Sequence, residues 1–107
     1  MTLKRTHHCA QLNRAHVGQT VVLSGWINSL RNLGGLAFID LRDREGITQI
    51  YVDPEKTPAV AEAIKPLREE SVITVKGTVQ PRPANMVNKN RATGEVEILV
   101  SELVVEN

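Results

Sequence analysis

Apolar and polar residues alternate with a period of two over much of this chain, the signature of strands with one buried face. In LAFIDLRD (Leu36–Asp43), Ala37, Ile39 and Leu41 fall on one side; Leu36, Phe38, Asp40 and Arg42 fall on the other. ITQIYVD (Ile47–Asp53) sets Thr48, Ile50 and Val52 against Ile47, Gln49, Tyr51 and Asp53. The Asp43-Arg44-Glu45-Gly46 turn between them makes a tight hairpin. In GEVEILVSELVVE (Gly94–Glu106), Val96, Ile98 and Val100 take the interior phase, with Glu97, Leu99 and Ser101 outside. Two further segments read as strands. VVLSGWINSL (Val21–Leu30) precedes an Asn32–Gly35 turn and contains Gly25, which predicts a bulge or sharp bend. SVITVKGTVQPR spans Ser71–Arg82.

The spacing of Val60, Ala61, Ile64 and Leu67 predicts a helix over Pro58–Leu67. Thr6 is expected to cap a helical turn over His7–Leu12. Three strands, a helix, then two strands predict an all-β domain over residues 1–107. The expected form is a five-stranded Greek-key OB-fold barrel with a small helix between strands 3 and 4. An open three-plus-two sandwich is the alternative. OB-folds commonly bind oligonucleotides across the outer face of strands two and three.

Composition narrows the function classes. The 107 residues suffice for one core and carry a net charge of +1, so a nucleic-acid role must rest on local charge placement. No apolar run approaches the roughly 20 residues that cross a bilayer. The start of the chain lacks the apolar stretch of a secretory signal. The single cysteine, Cys9, forms no internal disulfide, which points to a reducing, cytoplasmic compartment. His7, His8 and Cys9 are adjacent and cannot easily converge on one ion with His16, so no metal is expected. Cys9 is instead expected to pack under the barrel's N-terminal turn. Gly34-Gly35 lacks the downstream lysine of a phosphate loop, and no Ser/His/Asp set has support.

With the apolar sets inside the barrel, Phe38, Gln49, Tyr51 and Glu97 share its exterior. Phe38 is the only phenylalanine in the chain. An aromatic ring on a sheet surface can stack on a splayed-out base. Gln49 offers a donor and an acceptor to a base edge, and Glu97 accepts only, which suits the Watson–Crick edge of guanine. Arg31 and Arg82, at strand ends, can contact phosphates or bases. A generic single-strand-binding module and a protein-interaction barrel both remain compatible with this pattern.

Three stretches, RTHHCAQL, HVGQTVVLSGWINSLRNLGGLAFIDLRDREGITQIYVDP and ATGEVEILVSELVVEN, resemble the N-terminal anticodon-binding domain of bacterial-type aspartyl-tRNA synthetases. The lysyl and asparaginyl relatives share the Gly-Trp strand but generally not Asp-Arg-Glu-Gly followed by Ala-Thr-Gly-Glu-Val-Glu. The resemblance implies that Phe38 stacks on the central uridine of the anticodon. It implies that Gln49 and Arg31 contact anticodon bases and that Glu97 recognises the first base, guanine or its modified form. Arg82 then lies near the anticodon stem-loop, and Asn85 or Asn88 contacts the third base.

The implied partner is the anticodon stem-loop of tRNA(Asp), with no membrane. The family continues past the position of Asn107 through a hinge into a class II catalytic domain. This chain carries neither a Phe-Arg-x-Glu nor a Gly-x-Gly-x-x-Arg motif. A monomeric, non-catalytic domain without a cofactor is therefore expected, while the homodimeric parent would use ATP and Mg²⁺ to attach aspartate to tRNA(Asp). The chain departs from the family at Ser29-Leu30-Arg31, where Arg-Arg-Arg is frequent, at Asn32 in place of Asp, and at Gln80 in place of a basic residue. Fewer cations weaken the phosphate component and shift RNA contacts toward stacking and base edges. Leu33 stands where relaxed-specificity members carry histidine, which favours strict aspartate-tRNA recognition.

Overall fold

The alternating segments do form strands, and their apolar faces close on one another. The computed structural model describes residues 5–9, 11–33, 35–82, 94 and 96–106. Five strands, β1 (Thr20–Leu33), β2 (Leu36–Arg42), β3 (Ile47–Val52), β4 (Val72–Pro81) and β5 (Val96–Val105), close a barrel in the order β1-β2-β3-β5-β4. β3 and β5 run parallel and all other neighbours antiparallel. The crossover that seats β5 between β3 and β4 is the Greek-key step, and α1 (Pro58–Ile64) lies in the connection from β3 to β4. The closed circuit gives every strand a neighbour on each side and excludes the open sandwich.

The expected interior set is buried. Ile39, Leu41, Ile50, Val52, Ile98 and Val100 are fully inaccessible and pack with Val21, Leu23, Ile73 and Val75. Val60 and Ile64 of α1 join this core beside the β1–β2 turn, and Cys9 and Leu12 join it from the chain start. Cys9 is held there by Thr48, whose hydroxyl donates to the Cys9 carbonyl oxygen. Burial, then the nearby Asp43 carboxylate, push the Cys9 thiol pKa far up.

β1 is long enough to serve two neighbours: Thr20–Trp26 pair with β4 and Trp26–Leu33 with β2. At that handover Gly25 lets the chains touch, since a Cβ there would sit 2.2 Å from the Arg42 carbonyl oxygen. The bulge itself lies further on than expected, between Ile27 and Ser29. Ile27 pairs with Leu41 on the inside, Asn28 is the extra residue, and Ser29 then pairs with Asp40 on the outside. This inversion turns Arg31 outward beside Phe38. β1 also continues past Leu30 through Arg31 and Asn32, so the turn begins only after Leu33.

Other boundaries differ from expectation for local reasons. Asp43 and Asp53 leave their strands because their carboxylates bind turn amides: Asp43 Oδ1 accepts from Glu45 and Gly46, and Asp53 Oδ1 from Glu55. α1 stops at Ile64 because Pro66 has no N–H to continue the helical bonding. The helical turn expected over His7–Leu12 is absent from its described residues. Thr6 is occupied elsewhere: its Oγ1 accepts from Val22 N at 2.9 Å and its own N donates to Val22 O. A capped turn forms instead at Arg14–His16, where Asn13 accepts from Ala15 N.

Candidate nucleic-acid interface

Two outward rows cross the barrel. In the first, Arg31 pairs with Phe38, Phe38 with Tyr51, Tyr51 with Leu99 and Leu99 with Thr78. In the second, Ser29 pairs with Asp40, Asp40 with Gln49, and Glu97 with Gln80. The parallel pairing of Ile50 with Ile98 brings Gln49 beside Glu97. Residues distant in sequence thus share one polar, aromatic face.

Hydrogen bonds thread the second row and tie it to the first. Arg31 Nη2 donates to Gln49 Oε1 at 3.2 Å, and Gln49 Nε2 donates to Glu97 Oε1 at 3.0 Å. The two bonds fix which end of the Gln49 amide faces which neighbour. Ser29 Oγ donates to Asp40 Oδ2 at 2.8 Å. Tyr51 OH donates to Gln80 Oε1 at 2.6 Å. The Phe38 and Tyr51 rings stack with centroids 5.9 Å apart and planes 25° from parallel. Arg82 lies at the rim, where its Nε donates to the Val96 carbonyl.

Phe38, Gln49 and Glu97 therefore share one surface, as the strand phases predict, and Arg31 and Arg82 fall on or beside it. Outward does not mean exposed, however. Phe38 is 6%, Gln49 2%, Glu97 7% and Arg82 7% accessible. Of these five, only Arg31 is open to solvent. Asn85 and Asn88 lie outside the described residues.

Burial raises the Glu97 carboxyl above its ordinary value, and the Gln49 hydrogen bond and the Arg82 charge pull it only partly back. Burial, followed by the charges of Glu97 and Asp53, likewise raises the Tyr51 phenol. A ligand suited to this face offers flat rings to Phe38 and Tyr51 and N–H donors to Glu97. Unpaired nucleobases offer both.

Sequence reasoning misses two members of the site. Strand phase puts Asp40 on the polar face but gives it no partner, since Ser29 lies opposite it only because of the bulge. Gln80 of β4 holds the Tyr51 hydroxyl. Its parity with Arg82, one residue past β4, is the signal that could have found it. The histidines do not gather: His7 and His16 meet edge to face at 5.3 Å, whereas His8 Nδ1 lies 4.0 Å from Asp43 Oδ2.

A closed five-strand barrel carrying an aromatic and base-edge donors and acceptors on its outer face defines an OB-fold of the nucleic-acid-binding class. The family model of the tRNA anticodon OB-fold nucleic acid binding domain matches residues 21–106, and the chain belongs to this family. It is 50% identical over 104 residues, 97% of its length, to the aspartate–tRNA ligase of Listeria monocytogenes strain HCC23. The chain spans 18% of that ligase's length. Among solved structures it is similar to an OBody bound to hen egg-white lysozyme, at TM-score 0.85 and 30% identity, covering 100% of this chain and 97% of that one. It is also similar to the asparaginyl-tRNA synthetase of Pyrococcus horikoshii, at TM-score 0.81 and 25% identity, over 99% of this chain and 23% of that one.

Proposed function

We propose that this domain reads the anticodon of tRNA(Asp) for an aspartate–tRNA ligase. The observation that carries the proposal is the convergence of Phe38, Gln49, Glu97 and Arg31 on one face of a chain 50% identical to such ligases. Phe38, once uncovered, supplies the stacking surface for the middle base. Glu97 accepts the donors of guanine at the first position, and Gln49, oriented by Arg31, addresses a neighbouring base edge. Arg82 supports the stem-loop near the end of β4. The resting hydrogen bonds among Arg31, Gln49 and Glu97 satisfy these groups until a base edge replaces them, so exchange costs less than opening an unpaired polar site.

On this reading the domain acts as a monomeric tRNA-identity module of a cytoplasmic, dimeric enzyme. The ATP and Mg²⁺ used to attach aspartate would be held by a catalytic domain, while the residues of this barrel supply recognition. The test is fluorescence anisotropy with anticodon stem-loops that differ only at the first anticodon base. Preference for guanine over adenine that disappears in Glu97→Gln supports the proposal. Equal affinity for unrelated single strands would overturn it in favour of a generic single-strand-binding module.

A further inference from the structure

Three outward cross-strand pairs run in succession along β1 and β2: Arg31–Phe38, Ser29–Asp40 and Trp26–Arg42. The first two belong to the face described above. The third, about 14 Å along β2 from Phe38, borders a cleft that the anticodon reading leaves unused. This cleft, of about 450 Å³, is lined by Arg5 and His8 from the chain start, Ser24 and Trp26 of β1, and Arg44 and Glu45 of the β2–β3 turn.

Its chemistry is specific. Trp26, the chain's only tryptophan, is half-buried and supplies an aromatic wall. Arg5 and Arg44 are exposed at the mouth, and exposed Arg42 flanks Trp26. Asp43 also borders the cleft, but its carboxylate is engaged by three backbone amides, those of Cys9, Glu45 and Gly46. Asp43 and Glu45 are thus the two carboxylates of the cleft, set against Arg5, Arg44 and the flanking Arg42. An aromatic wall beside guanidinium groups suits a base with its phosphate, and the cleft continues the same outward ladder that carries Phe38.

We propose that this cleft is a further nucleotide subsite, taking a base against Trp26 and its phosphate between Arg5 and Arg44. Its ligand is the single-stranded RNA flanking the anticodon bases, so the inference rests on the anticodon reading.

Two signals separate the sites. Anisotropy of a labelled aspartate anticodon stem-loop reports total binding, and Trp26 emission reports the cleft alone. Emission is expected to quench with the same midpoint as the anisotropy rise. The double variant Arg5→Ala/Arg44→Ala, altered only at exposed positions, is expected to lose quenching. Its slope of log affinity against log salt should flatten by about 0.7 for each phosphate that the removed arginines no longer neutralise, with guanine preference unchanged. An anisotropy rise with unchanged Trp26 emission and a wild-type salt slope in the variant overturns the subsite and leaves the anticodon reading standing. No anisotropy rise even at low salt overturns both.

Discussion

Gln49 donates its side-chain amide to Glu97 at 3.0 Å, across neighbouring strands separated by more than forty residues of chain. Because Arg31 fixes the other end of that amide, the three side chains behave as one oriented acceptor–donor unit. The unit ties base-edge chemistry to barrel closure, and it makes the behaviour of Glu97 separable from that of Phe38.

Glu97→Gln should divide stability from recognition. The folded-state pKa of Glu97 is raised, so burying its charge costs stability above that pKa, and the cost is relieved as pH falls below the unfolded value. The neutral amide removes this cost and still accepts from Gln49. The variant is expected to be at least as stable as wild type in urea at neutral pH, while losing preference for guanine. In wild type, the same preference should fade on acidification through a pH above the ordinary glutamate range.

Phe38→Ala tests stacking. Loss of the ring should weaken stem-loop binding by about 1–3 kcal/mol irrespective of the first anticodon base. Anisotropy titration against a folded variant, verified by its far-ultraviolet spectrum, checks this; unchanged affinity removes Phe38 from the proposed contact.

Asp43→Asn tests the hairpin turn. Burial raises the Asp43 carboxyl, but the amides of Cys9, Glu45 and Gly46 outweigh it and its pKa lies below the ordinary value. Asparagine keeps one acceptor and turns an N–H₂ toward the buried Cys9 amide, an expected cost of about 1–3 kcal/mol in urea unfolding. The wild-type contribution is fully present above the ordinary aspartate pKa and is lost as pH falls through the depressed one. The stability difference between the two proteins should shrink in that acidic window.

Gly25→Ala tests the close approach of β1 and β2. A Cβ 2.2 Å from the Arg42 carbonyl oxygen forces the strands apart, with an expected loss of about 1–3 kcal/mol. A melting temperature equal to that of wild type would show that the handover at Trp26 tolerates a side chain.

The hairpin of β2 and β3 is legible in the sequence because neither strand contains a bulge, so two-residue periodicity assigns every side chain its face. Phe38, Gln49 and Tyr51 group together for that reason, and Glu97 follows from the clean alternation of Val96, Ile98 and Val100. β1 resists the same treatment. One extra residue at Asn28 inverts its phase, and the composition around it carries no mark stronger than the nearby Gly25.

By itself the sequence determined the five strands and the helix between the third and fourth, the apolar set that fills the barrel, and the parity that excludes Phe38 from that set. These are local properties, set by side-chain alternation and turn chemistry over a few residues. The tertiary structure alone decided that Arg31 stands beside Phe38, that Gln49 meets Glu97, and that Trp26 opens onto a cleft between the chain start and the β2–β3 turn. It also decided that the outward-facing Phe38, Gln49 and Glu97 are buried. The physical reason is closure: register across strands distant in sequence comes from joining β1 to β4 and β3 to β5, and local periodicity does not encode those pairings.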